Sequence, residues 1–140
     1  MSGPFRYTQR VRYHECDPQG VVFNAQYLTY FDVGLTELWR EVGGYQSMIE
    51  AGTDMVVAEA NVRYRAPLRF DDEFEVAIVV SRLGDTSMTT QLTIERDGEV
   101  LTEGELRHVF VTAGENEKVP IPDAVREGLA AYAVLEGAET

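Results

Sequence analysis

Residues Asn24 to Gly44 read NAQYLTYFDVGLTELWREVGG. Leu28, Phe31, Leu35, Leu38 and Val42 recur at spacings of three and four, which puts them on one stripe of an α-helix. Tyr27, Tyr30 and Trp39 widen that stripe. Asn24 is placed to cap the helix start, and Gly43-Gly44 to stop it. The segment predicts a helix of about five turns, apolar enough that something larger must wrap it.

Outward from this helix the period changes. Upstream, Arg10-Val11-Arg12-Tyr13 alternates polar and apolar residues and predicts a strand, and His14 to Gly20 (HECDPQG) breaks it with turn formers. Downstream, Val56, Ala58, Ala60, Val62 and Tyr64 fall on one face of a strand. Phe74, Val76, Ile78 and Val80 do so on a second, and Met88, Thr90, Leu92 and Ile94 on a third. Asp97-Gly98 is a hairpin turn into a last strand from about Glu99 to Val111, and Asp123 to Tyr132 reads as a short terminal helix after Pro120-Ile121-Pro122. Strand, long helix, then four strands joined mainly by hairpins predicts an α+β domain with an antiparallel sheet packed on one helix. The sheet's other face or an edge strand then needs cover, which predicts a dimer. Residues 1–140 show no repeat or linker and read as a single domain.

The net charge of −12 argues against nucleic acid or an anionic membrane as a partner, since both need a basic surface. No apolar run reaches the roughly 18 residues of a membrane span, and MSGPFRYTQR lacks the apolar stretch of a secretory signal. Cys16 is the single cysteine, so no internal disulfide framework is possible. These features predict a cytoplasmic protein. His14 and His108 are the only histidines, and no Cys/His cluster has ligand spacing, so neither a metal nor another cofactor is expected.

Residues Tyr13 to Glu37 (YHECDPQGVVFNAQYLTYFDVGLTE) resemble the signature of the 4-hydroxybenzoyl-CoA thioesterase family: a strand, an Asp-x-Asp-like turn, Gly-Val-Val-aromatic, then a helix with a tyrosine and an acid. Tyr64-Arg65-Ala66-Pro67-Leu68 followed by Asp71-Asp72 is similar to a second family turn, and Leu83-Gly84-Asp85-Thr86-Ser87-Met88 to its entry into the next strand. Val109-Phe110-Val111 with Lys118 to Pro122 is similar to its last strand and closing Ile-Pro. The resemblance spans nearly the whole chain in order. It implies a hotdog fold, a homodimer or homotetramer with active sites at the dimer interface, and hydrolysis of an acyl-CoA, or of an acyl group on a carrier protein. It implies Asp17 as the catalytic aspartate and the backbone amide at about Asn24 as the oxyanion donor. Gly20, Val22, Phe23 and Asp32 then border the substrate. The chain departs from the family at Asn24, where some members carry histidine, and at Val33-Gly34-Leu35, where many carry Ala-Arg, so no particular acyl group is implied.

The chemistry agrees with that placement. Thioester hydrolysis builds negative charge on a carbonyl oxygen, and losing one preorganised N–H donor to it costs about 2.7–4 kcal/mol. A helix start supplies such donors with its dipole pointing the right way. Gly20 lets backbone approach closely. Asp17 lies three residues before Gly20 and seven before Asn24, so the turn can bring its carboxylate beside the helix end. It can attack the thioester or deprotonate a water, and sequence does not separate the routes. The alternative role for Asp17 is that of a turn former ahead of Pro18.

Coenzyme A carries phosphates, so an acidic chain must gather basic residues locally. Arg63 and Arg65 on one strand face, and Arg82 with Thr86 and Ser87 about the Gly84 turn, are the candidates. A hotdog hydratase would need a histidine near the aspartate, and none occurs between residues 15 and 107. A non-catalytic acyl-CoA-binding module on the same fold is the remaining alternative.

Overall fold

The computed structural model describes residues 3–134. Five strands form one antiparallel sheet in the order β1-β3-β4-β5-β2, with β1 Phe5–Arg10, β2 Thr53–Tyr64, β3 Glu73–Leu83, β4 Ser87–Arg96 and β5 Glu99–Thr112. The long helix α1 (Gln26–Glu41) lies on one face. Helix α2 (Tyr45–Glu50) and helix α3 (Asp123–Leu129) are short. Among the described residues no helix is long and apolar enough to cross a membrane.

The strand expected at Arg10–Tyr13 lies earlier. β1 is FRYTQR, with Phe5, Tyr7 and Gln9 turned inward. After buried Val11 the Glu15 carboxylate accepts the Arg12 N–H at 2.8 Å, which winds Tyr13–Glu15 into a 3-10 turn instead of extending the strand. The alternation at 10–13 continues a strand that local capping has already ended.

Helix α1 buries Tyr27, Tyr30, Phe31, Gly34, Leu35, Leu38 and Trp39. Leu28, expected on that stripe, is 42% exposed. Two glycines set the packing distance. A Cβ at Gly34 would sit 3.0 Å from Val76 Cγ1, and one at Gly104 of β5 would enter the Phe31 ring. The stop at Gly43-Gly44 holds, with both residues at positive φ, and α2 follows it, a helix that the sequence did not announce.

In β3 and β4 the expected alternation is seen: Phe74, Val76, Ile78 and Val80, then Met88, Thr90, Leu92 and Ile94, are all buried. Asp97 and Gly98 both take positive φ, as a tight primed hairpin turn requires. The alternation expected in β2 breaks at a register shift between Val57 and Glu59. Phe31 packs on Gly104, and Gly104, Leu106 and His108 of β5 pair with Val62, Ala60 and Val57. The bulge therefore moves Val57, not Ala58, onto the helix side with Ala60, Val62 and Tyr64. β2 pairs only with β5, so one edge of this 12-residue strand is open among the described residues.

Candidate active site

Residues 16–22 form a closed loop. Cys16 bridges Val22, the Asp17 N–H donates to Val21 O at 2.8 Å, and the Gly20 N–H donates to Asp17 O at 2.9 Å. Gly20 sits at φ 82, a conformation that side chains oppose. The Gln19 N–H donates to Asp17 Oδ1 at 2.8 Å, so the aspartate does help to form the turn. Asp17 also lines a cavity of about 390 Å³ with Val22, Phe23, Asn24, Tyr27, Tyr64 and Arg65 among the walls.

The helix start faces this cavity, with one revision. The helix begins at Gln26 with Ala25 at the N-cap, so Asn24 is one residue outside, and no side chain caps the end. Phe23 N–H is taken by Glu15 O at 3.0 Å, and Gln26 and Tyr27 N–H by Phe23 O and Asn24 O. The N–H groups of Asn24 and Ala25 have no acceptor among the described residues. Two tyrosines that sequence reasoning missed fix the surrounding backbone. Tyr64 OH donates to Asn24 O at 2.9 Å, and Leu68 N–H donates to Tyr27 OH at 3.1 Å. Their rings meet edge to face. Burial pushes the Tyr27 phenol up in pKa, against the opposing Leu68 bond, so it stays protonated. Tyr27 read as helix core and Tyr64 as strand face; only their meeting, from positions 37 apart, marks them as walls of one site.

Other expected site residues are dispersed. Asp32 lies two turns on, in a separate cavity of about 300 Å³ with Leu35, Trp39, Val57 and His108. Arg65 stands at the rim of the Asp17 cavity, paired with Glu103 at 3.0 Å. Arg63 lines a groove of about 630 Å³ on the sheet face away from α1. This groove is the largest of the three, but no helix start or loop carboxylate opens onto it. Arg82, Thr86 and Ser87 stand at the far end of β3, about 30 Å of strand from Asp72, the residue whose O accepts the N–H of Val11. Within one chain they do not meet Asp17. Arg63, Arg69 and Arg82 have no carboxylate partner among the described residues, and Arg69 is bridged to Val21 of the Asp17 loop.

Cys16 and His108 are both pushed away from their charged forms. Burial first, then Glu15 and Asp17, push the Cys16 thiol up, away from thiolate. His108 is buried, its Nδ1 has no partner, and burial lowers its pKa against the opposing pull of Asp32. Among the described residues no cluster of three His, Cys, Asp or Glu could hold a metal.

Comparison with known proteins places this architecture. Residues 11–129 match the model of the thioesterase-like superfamily. The acyl-CoA thioester hydrolase YbgC of Escherichia coli is 28% identical over 123 residues, covering 86% of this chain and 92% of the relative. A 1,4-dihydroxy-2-naphthoyl-CoA hydrolase of Thermosynechococcus vestitus is 24% identical over 120 residues, covering 84% and 82%. The crystal structure of a hypothetical protein from Aquifex aeolicus superposes with a TM-score of 0.86 at 31% identity, covering 90% of this chain and 99% of that one. The shared architecture, a long helix wrapped by an antiparallel sheet, is the hotdog fold.

Proposed function

The chain belongs to the thioesterase-like superfamily, and from that membership we propose that it hydrolyses acyl-CoA thioesters in the cavity that Asp17 shares with the start of α1. One observation carries the reading: Asp17 lines one cavity with Asn24, whose N–H has no acceptor among the described residues. A thioester carbonyl oxygen seated on the Asn24 amide develops its charge where a donor and the helix dipole already point. Asp17 then either attacks the carbonyl carbon, giving an anhydride and releasing the CoA thiolate, or takes a proton from a water that attacks in its place. Both routes use the same geometry.

The substrate is a small to medium acyl group on CoA or on a carrier protein. Arg65 approaches the phosphates from the strand side. Arg82, Thr86 and Ser87 reach the cavity from a second copy of the chain, because pairing two open β2 edges antiparallel brings opposite ends of the two sheets together. The length of that edge and the exposure of Val56, Val57 and Tyr64 support such a dimer.

A panel of acyl-CoAs differing in chain length and aromaticity, assayed for released thiol, tests the reading. Turnover of at least one substrate is expected, with Asp17→Asn slower by about 10²–10⁴-fold. Full activity in that variant would remove Asp17 from the mechanism, and saturable binding without turnover would make the chain a binding module. Label found in the Asp17 side chain after single turnover in ¹⁸O-water would mark an anhydride that water opens at the Asp17 carbonyl.

A further inference from the structure

Glu15 is 4% exposed and stands two residues before Asp17. An ionised carboxylate so buried costs several kcal/mol unless it is well bonded. Here a single oxygen, Oε1, accepts the Arg12 N–H at 2.8 Å and the Tyr30 hydroxyl at 2.8 Å, while Oε2 lies 3.5 Å from Arg12 Nη1. Tyr30 is buried in α1, and burial followed by the Glu15 bond raises its pKa, so the hydroxyl is a fixed donor. The backbone of Glu15 holds the other end of the loop: its carbonyl accepts the Phe23 N–H, one residue before Asn24. Among the described residues, Tyr30–Glu15 is the only side-chain hydrogen bond between segment 13–22 and α1.

We infer that Glu15 is a positioning residue, which acts through Tyr30 to hold the Asp17 turn in register with the amides at the start of α1. The inference rests on the thioesterase reading of that cavity. Glu15 is not among the residues that line the cavity, so its proposed effect runs through the backbone it holds and not through contact with substrate. Its effect is on distance. Asp17 and the Asn24 amide belong to separate stretches of backbone, and a misplacement of about 1 Å between reacting groups can cost 10²-fold in rate. One residue that bonds the loop's exit through its carbonyl and the helix through its side chain fixes both.

The test uses three variants. Glu15→Gln keeps an oxygen that can accept both donors; Glu15→Ala and Tyr30→Phe remove the link. With the fastest acyl-CoA of the panel, Tyr30→Phe is expected to lower kcat by about 10-fold and Glu15→Ala by about 10²-fold, with KM little changed. Glu15→Gln should stay within about threefold of the unmodified protein. Hydrogen–deuterium exchange of the Gly20 and Phe23 amides should quicken in Glu15→Ala and Tyr30→Phe but not in Glu15→Gln. Unchanged kcat and exchange in Glu15→Ala would overturn the inference. So would a Glu15→Gln variant as impaired as Glu15→Ala with normal exchange, since that marks an acid–base role. The exchange readout needs no turnover, so it decides the clamp even if Asp17→Asn retains full activity and the thioesterase reading fails.

Discussion

Asp17 serves two purposes: its Oδ1 closes its own turn through the Gln19 amide, and the residue still lines a cavity at a helix start. His108 shows the reverse case, a titratable group with no partner for Nδ1. Its imidazole titrates near 6.5 when unfolded and at lower pH when folded, because burial disfavours the charged form. Between those values the unfolded chain holds the extra proton, so this residue's effect on stability is absent above about 6.5 and destabilises increasingly as pH falls below it. His108→Phe should flatten the decline of Tm just below that pH while removing an unsatisfied buried nitrogen. A decline identical in both proteins would show that the imidazole is not the group responsible.

At the scale of elements, α1 sits on the sheet through Gly34 over Val76 and Phe31 over Gly104. Helix and sheet are therefore close enough at Gly104 that no side chain fits, and the angle of α1 carries Asn24 with it. Gly104→Ala should destabilise by about 1–3 kcal/mol, the usual cost of overpacking a filled core. Denaturant melts at constant m would measure it, and a neutral effect would mean that the Phe31 ring yields freely. If the helix start supplies the oxyanion donor, as proposed, the same variant should also lower kcat in the thiol-release assay.

Over the whole molecule, the open β2 edge is where the proposed dimer would complete the site. Val57 is 53% exposed on the helix side of that edge. Val57→Lys adds a charge where a second copy would pair, a device that blunts sheet edges. The expected result is a shift from dimer to monomer by light scattering, native circular dichroism, and a loss of activity of about 10-fold or more, as the proposed contribution of the second copy to phosphate binding is removed. An active monomer would show that Asp17, Asn24 and Arg65 of one chain suffice.

Short-range pattern determined much of this protein. The 3.6-residue period of α1, the alternation of β3 and β4, the Asp97-Gly98 hairpin and the Asp17–Gly20 turn all depend on residues within a few positions of one another, and each is legible in the sequence. What depends on partners far along the chain was not. The bulge that moves Val57 to the helix side is set by pairing with β5. The strand at Phe5–Arg10 is defined by β3, about seventy residues away. The link from Glu15 to Tyr30 and the meeting of Tyr27 with Tyr64 are hydrogen-bond and packing events with no periodic trace. Asp32 lies on the helix whose start faces the Asp17 cavity, yet the 1.5 Å rise per residue carries it into another cavity. Sequence thus determined which elements form, because propensity and burial period are local. Tertiary structure alone decided which side chains share a cavity, because that follows from how the elements cross.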